Sequence, residues 1–143
     1  RDKIDEIMEQ VKCPVAVFVN RQYREGTTVS FVLGGMIDLF LFFYLDKMLQ
    51  NGHSVRLFLF DTDDEEFRGR IDDLQVRYPG QTMIVWFAGV EDLVTEEKDG
   101  LLIMSHLSYT KLSEDEAVMR ELSSLLVIRR NKNTGDKNEG LEN

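Results

Sequence analysis

The chain has 143 residues, of which 43% are hydrophobic and 30% charged, and a chain of this size is expected to form one domain around a single core. The formal net charge of -9 excludes a phosphate-binding surface of the usual basic kind, so neither nucleic acid nor anionic lipid is expected as a partner. One cysteine and two histidines form neither an internal disulfide nor a closed structural zinc site, which is typical of an intracellular protein without a metal or cofactor.

The first part of the chain combines segments of helix and strand character. Apolar residues recur at helical spacing over residues 2–11, ahead of Pro14, and an uninterrupted apolar run follows over residues 15–19. A second apolar run over residues 28–33 ends at a Gly-Gly turn, after which a long helix is predicted over residues 37–49. We therefore expect a helix, two strands and a second helix in this order.

The middle of the chain continues this pattern. A strand is predicted over residues 55–60, and a surface helix after it, with Thr62 and Glu65 as a capping box. Pro79-Gly80 ends that helix, and a strand is predicted over residues 82–87.

The last part holds one ambiguous segment, because residues 90–98 fit either a short helix or an acidic turn. A strand over residues 101–104 follows, then a helix with a capping box at Ser113 and Glu116, and a final strand over residues 125–128. From residue 131 onward the chain is polar, which predicts a flexible tail.

Apolar strands that alternate with amphipathic helices predict an α/β fold with a sheet buried on both faces. Because crossover connections are right-handed, we expect a doubly wound, mainly parallel five-stranded sheet in the order 3-2-1-4-5, with an extra N-terminal helix and strand. The expected neighbours are residues 82–87, 55–60, 28–33, 101–104 and 125–128.

The helix predicted over residues 37–49 is apolar on nearly all sides. Its unbroken apolar part is far shorter than the roughly 17 to 25 residues that span a bilayer, so we expect no transmembrane helix. Two interpretations remain: the helix is buried under neighbouring loops, or part of it is a partner interface. A dimer or a further domain fits the second interpretation.

The Gly34-Gly35 turn is a weak candidate for ligand binding. Its N–H groups and the helix after it lie at the carboxyl end of the central strand, where open α/β sheets bind ligands. A plain tight turn is the alternative. The acidic run that begins at Asp61 resembles the start of a calcium loop, but it lacks the required glycine and the final glutamate. It is better explained as the acidic first turn of a helix.

Residues that carry chemistry are few. His53 follows a turn and His106 follows a strand, and neither has a second ligand or nucleophile at a recognisable spacing. A hydrolase that uses His106 with Ser105 is a hypothesis to be tested, but no set of residues forms a catalytic constellation, so we expect a protein that is not an enzyme. Cys13 is expected to be a small buried filler.

Several short segments resemble, in order, the cytosolic C-terminal region of monovalent cation/proton antiporters (Na⁺/H⁺ or K⁺/H⁺). Residues 11–21 are similar to the family's "APCSVGILVDRG" segment, and residues 29–38 to its strand, Gly-Gly turn and acidic residue. Residues 54–60, 99–106 and 123–129 resemble its later strands. These antiporter regions resemble tandem universal-stress-protein-like domains.

The resemblance implies a division of the chain into three parts. Residues 1–20 are the helix and strand left from a preceding half-domain, residues 27–130 form a universal-stress-protein-like domain, and residues 131–143 are the tail. The strand at 15–19 then needs a new partner, and we expect it to pair antiparallel with residues 125–128, within one chain or across a homodimer.

The function that the resemblance implies is a regulatory or assembly domain on the cytoplasmic side of the cell membrane. Its expected partners are a second copy of the chain and the antiporter's membrane domain. The alternative is a nucleotide-sensing module, whose ligand-binding residues are expected to be Gly34, Gly35, Asp61, Ser105 and His106. Residues 107–115 are expected to be a loop, and they contain no glycine, unlike the Gly-x-x-Gly loop of nucleotide-binding universal stress proteins, which disfavours phosphate binding.

Overall fold

The computed structural model describes residues 3–10, 14–95 and 97–130. The α-helices are α1 (Lys3–Gln10), α2 (Phe42–Gln50), α3 (Glu65–Arg77), α4 (His106–Leu112) and α5 (Glu116–Glu121). The strands are β1 (Val15–Val19), β2 (Val29–Leu33), β3 (Val55–Phe60), β4 (Thr82–Phe87), β5 (Leu101–Ser105) and β6 (Ser124–Arg129). Two 3₁₀ helices cover Met36–Leu41 and Val90–Leu93.

All six strands form one sheet in the order β1-β6-β5-β2-β3-β4. The prediction of a sheet with five strands in the order 3-2-1-4-5 was wrong in count and order. Residues 15–19 join the sheet as a sixth strand, β1. It pairs antiparallel with β6, with Val17 opposite Val127, whereas all the other pairs are parallel. The predicted antiparallel pairing of this strand is thus confirmed, and it occurs within one chain.

The core forms two layers, one on each face of the sheet. Side chains alternate along a strand, so in β3 Leu57 and Leu59 belong to one apolar cluster and Phe58 to the other. The first cluster contains buried residues of α2 and α3, and the second contains those of α1, α4 and α5. The predicted α/β class is therefore confirmed, with helices packed on both faces of a mostly parallel sheet.

Several predicted helix boundaries were wrong. The helix predicted over residues 37–49 begins instead as a 3₁₀ helix, Met36–Leu41, and becomes α-helical only at Phe42. Residues 107–115 were expected to be a loop, but α4 covers most of them. Asp64, not Thr62, caps α3, and Asp115, not Ser113, caps α5. Cys13, residues 11–12 and the tail from 131 lie outside the described residues.

The apolar segment after β2 is partly buried and partly exposed. Leu41 and Leu45 are fully buried in the first cluster, whereas Phe43 is 60% exposed and its ring packs edge-on against Tyr44. The helix is therefore buried on one side and exposes aromatic rings on the other, and the partner interface stays a prediction. Within the described ranges, each helix is too short or too polar to cross a bilayer.

Candidate functional site

The predicted ligand site lies at the carboxyl ends of the central strands. Gly34 follows β2, Asp61 follows β3, and Ser105 ends β5. Because β2 lies between β5 and β3 in the sheet, the parallel strands bring these three positions to the same edge.

The turn after β2 has a geometry that depends on glycine. Gly35 has φ 135° and ψ -161°, a conformation that essentially only glycine adopts. The turn is closed by a bond from the Asp38 N–H to the Gly35 carbonyl, 3.0 Å long. It continues directly into the 3₁₀ helix, which brings the Asp38 side chain back toward the turn.

Asp38 is the centre of this edge, although it is absent from the predicted site. Its side chain is buried, and Oδ2 accepts a 2.6 Å hydrogen bond from the Gly34 N–H. The Ser108 hydroxyl donates a second bond, of 3.3 Å, to the same oxygen. Since Ser108 is in α4, one carboxyl connects the turn after β2 to the helix after β5.

Burial sets the protonation behaviour of Asp38. Removal from water raises the pKa of its carboxyl above the ordinary value of 3.8, and hydrogen bonds from Ser105, Gly34 and Ser108 reduce this shift without cancelling it. The buried carboxyl therefore holds its proton more firmly than an exposed aspartate does.

Ser105 and His106 have structural contacts at the start of α4. The Ser105 hydroxyl caps the helix by accepting a 3.1 Å bond from the Ser108 N–H. The His106 ring lies 2.7 Å, Nε2 to Oδ1, from Asp5 of α1. The hydrogen bonds of the described residues thus join His106 to another helix, and none of them joins it to the Ser105 hydroxyl.

Asp61 does not join the group around Asp38. Its side chain is 70% exposed, and its Oδ1 accepts a 3.1 Å bond from Arg68. The Arg68 guanidinium also lies over the Trp86 ring, 4.5 Å from its centre. The next acidic residues belong to the start of α3, as expected: Asp64 accepts bonds from the N–H groups of Glu66 and Phe67.

Two cavities flank the buried carboxyl. One, of about 280 Å³, is lined by Asp38, Ser105 and His106 together with Arg129 and Arg130. The other, of about 250 Å³, has a lining that includes Gly34, Ser108, Phe60, Phe87 and Lys111. The predicted residues Gly34, Ser105 and His106 are therefore brought together around Asp38, and Gly35 shapes their turn.

A third cavity, of about 790 Å³, lies at the opposite end of the sheet. His53 lines it, which separates this histidine from His106. Arg56 also lines it and pairs at 2.8 Å with Glu97. Hydrogen bonds from Thr28 and Arg56 lower the pKa of Glu97, so the polar groups here are paired with one another.

Nothing among family models, curated proteins or solved structures matches the chain.

We therefore infer the role of each residue from its contacts in the structure. Sequence reasoning missed Ser108 as a donor and Asp5 as the partner of His106, and it did not include Asp38 among the site residues. One signal for Asp38 is present: it is the only charged residue between Val29 and Leu45, and a lone acid in an apolar segment needs hydrogen-bond donors when it is buried. The described residues contain no cluster of three or more His, Cys, Asp or Glu side chains able to hold a metal ion.

Proposed function

We propose that this chain is a cytosolic regulatory or assembly domain of a membrane monovalent cation/proton antiporter and acts by contact. On this proposal it is a universal-stress-protein-like domain on the cytoplasmic side of the cell membrane. Its partners are a second copy of the chain and the membrane domain that carries out the exchange.

The observation that carries the proposal is the position of β1. The resemblance to antiporters implied that this strand is left from a preceding half-domain and needs a new partner. In the sheet β1 pairs antiparallel with β6 over five residues, from Val15 opposite Arg129 to Val19 opposite Leu125. This pairing satisfies an edge that would otherwise present open backbone groups.

The carboxyl end of the sheet supports a role in contact over a role in anion binding. The Gly34 N–H, which an anion would need, already donates to Asp38, and the Ser108 N–H already donates to Ser105. An anionic ligand would have to displace a carboxylate and approach its negative charge.

Exposed aromatic residues supply a surface for contact. Phe43 and Tyr44 lie at the start of α2 and are 60% and 39% exposed, and Ile37 in the preceding 3₁₀ helix is 52% exposed. Apolar side chains grouped in this way are typical of protein interaction sites.

The decisive experiment reads the coding sequence upstream of Arg1. The proposal expects roughly ten or more apolar spans of about 20 residues each, and their absence would overturn it. In the full-length protein, cation/proton exchange across vesicles should then respond to Phe43→Lys through altered activation. Val76→Lys, a similar change at a 78% exposed site on α3, is the matched control and should leave exchange unchanged.

The alternative, a nucleotide-sensing module, rests on the two cavities beside Asp38. Calorimetry with ATP, AMP and cyclic dinucleotides separates the two functions. A domain that acts by contact should release no heat with any of them. Saturable heat that disappears in Gly35→Ala would favour the alternative.

A further inference from the structure

The strand β4 lies at one edge of the sheet, and within the described residues it pairs only with β3. Gln81 and Phe87 direct their carbonyls toward β3, where they accept bonds from Val55 and Asp61. Since backbone groups alternate sides along a strand, Met83 and Val85 also face β3. The N–H and C=O groups of Thr82, Ile84 and Trp86 therefore point away from the sheet, and no hydrogen bond to another described residue satisfies them.

This edge lacks the features that usually prevent pairing between sheets. Strand β4 reads TMIVWF, without a charged residue, a proline or a glycine, whereas natural edges are commonly protected by lysine, proline or a bulge. Met83 is 64% exposed and Trp86 is 42% exposed. The edge thus combines open backbone groups with apolar side chains.

The outward-pointing groups also form a self-complementary pattern. An antiparallel pair about a two-fold axis at Ile84 places Ile84 opposite Ile84 of a second copy, and Thr82 opposite Trp86. All three outward-pointing residues then fall at hydrogen-bonded positions, where facing residues exchange both N–H···O bonds. Met83 comes to lie opposite Val85, so each facing pair is apolar or joins an aromatic to a β-branched residue, as stable cross-strand pairs do.

We propose that the outer edge of β4 pairs antiparallel with β4 of a second copy of this chain, about a two-fold axis at Ile84, which extends the two six-stranded sheets into one. This inference deepens the proposed function and rests on it for the role of self-association. An isologous contact of this kind closes at two copies and forms a dimer.

The other sheet edge, β1, is the rival surface. It is one residue shorter than β4, and its most exposed aromatic residue, Phe18, packs edge-on against Tyr23 at 6.1 Å. The two strands therefore allow matched substitutions, since Phe18 is 48% exposed and Met83 is 64% exposed.

The test measures the mass of the 143-residue chain by analytical ultracentrifugation over a concentration series. The wild-type chain should approach twice 16.6 kDa as its concentration rises. Met83→Lys places a charge at the centre of the pair and should raise the dissociation constant by about tenfold or more. Phe18→Lys should leave the dissociation constant unchanged.

Residue-resolved amide exchange checks the register. The amides of Thr82, Ile84 and Trp86 should exchange rapidly in dilute protein and slowly in concentrated protein. Those of Met83 and Val85 face β3 and should be protected at every concentration.

A chain that remains monomeric overturns the pairing, as does a dimer that only Phe18→Lys dissociates or one that leaves the three outward amides unprotected. These results leave the antiporter assignment untouched, because that assignment depends on the upstream coding sequence. Conversely, a β4 dimer without upstream membrane spans would support the pairing and contradict the proposed function.

Discussion

At the carboxyl end of β2 two backbone N–H groups have partners within the chain, whereas along the outer edge of β4 the described residues supply none. The Gly34 N–H meets the Asp38 carboxylate, and the Ser108 N–H meets the Ser105 hydroxyl. Thr82, Ile84 and Trp86 have no such partner among the described residues. A backbone group that is bonded internally needs no outside partner, whereas an unsatisfied edge is prone to association.

The difference also concerns charge. The carboxyl end contains a buried carboxyl group, and the lining of the neighbouring cavities adds Arg129, Arg130 and Lys111, so it presents charges of both signs. Strand β4 itself has no charged residue, and the Arg68 guanidinium that lies over its Trp86 ring is paired with Asp61. The outer edge of β4 is therefore the less charged of the two regions, which favours it as the surface for contact with a second copy.

The largest effect is expected from breaking the geometry of the carboxyl end. Gly35→Ala forces a side chain into a conformation reserved for glycine and should lower the free energy of unfolding by about 1–3 kcal/mol. Gly69→Ala is the matched control, because Gly69 lies inside α3 and a methyl group added there would meet no atom within 4 Å; it should stabilise by about 0.5–1 kcal/mol. Urea denaturation measures both, and equal effects would contradict the strain at Gly35.

Asp38 provides the second test of the same region. Asp38→Ala removes the acceptor of the Gly34 N–H and should lower the free energy of unfolding by about 1.5 kcal/mol. Asp38→Asn keeps an acceptor oxygen and removes the charge, so it should cost less. Urea denaturation of the two variants beside the wild type measures both effects, and an equal loss in both would show that the acceptor oxygen contributes nothing.

The pH dependence of the unfolding free energy tests whether the pKa of Asp38 is raised in the folded state. Its folded pKa is raised above 3.8, so below 3.8 the carboxyl is protonated in both states and contributes no pH dependence. As the pH rises above 3.8, the folded state retains its proton longer, and the unfolding free energy of the wild type should fall relative to Asp38→Asn until the pH exceeds the folded pKa. Denaturation curves of both proteins across this range measure the difference, and a difference that grows in the opposite direction would rule out a raised pKa.

The smallest effect concerns salt and the β4 edge. Two chains of charge -9 repel each other, and added NaCl shortens the Debye length from about 10 Å at 0.1 M to about 3 Å at 1 M. The dissociation constant of the dimer should therefore fall a few-fold with salt, a change of under about 1 kcal/mol. Ultracentrifugation of wild type and Phe18→Lys in parallel measures it, and weaker association in high salt would indicate an interface held by ion pairs.

Sequence reasoning was most accurate where a segment is apolar throughout. The bounds predicted for residues 15–19 agree with β1, because an uninterrupted apolar run between turn residues has few alternatives to a strand. It was least accurate at α4, which was expected to be a loop. The cap of that helix is Ser105, which also ends β5, so the start signal was hidden inside the preceding strand.

The sequence predicted the candidate site only in part. Gly34 and Ser105 were placed at one edge because parallel strands end together. Asp61 was placed there too, but its side chain bonds to Arg68 of α3 instead. The direction of a side chain at a strand end depends on its neighbours in space, which the spacing of residues along the chain does not reveal.

The sequence by itself determined which segments are buried strands and that they form an α/β sheet, because apolar burial depends mainly on local composition and period. Only the tertiary structure decided that Ser108 reaches Asp38, since the two are 70 residues apart and meet because β2 and β5 are neighbours. It also decided which residues of β4 point outward, because the register with β3 directs Gln81 and Phe87 toward the sheet. Hydrogen bonds require specific distances and angles between groups, and those are fixed only when the strands have been assembled.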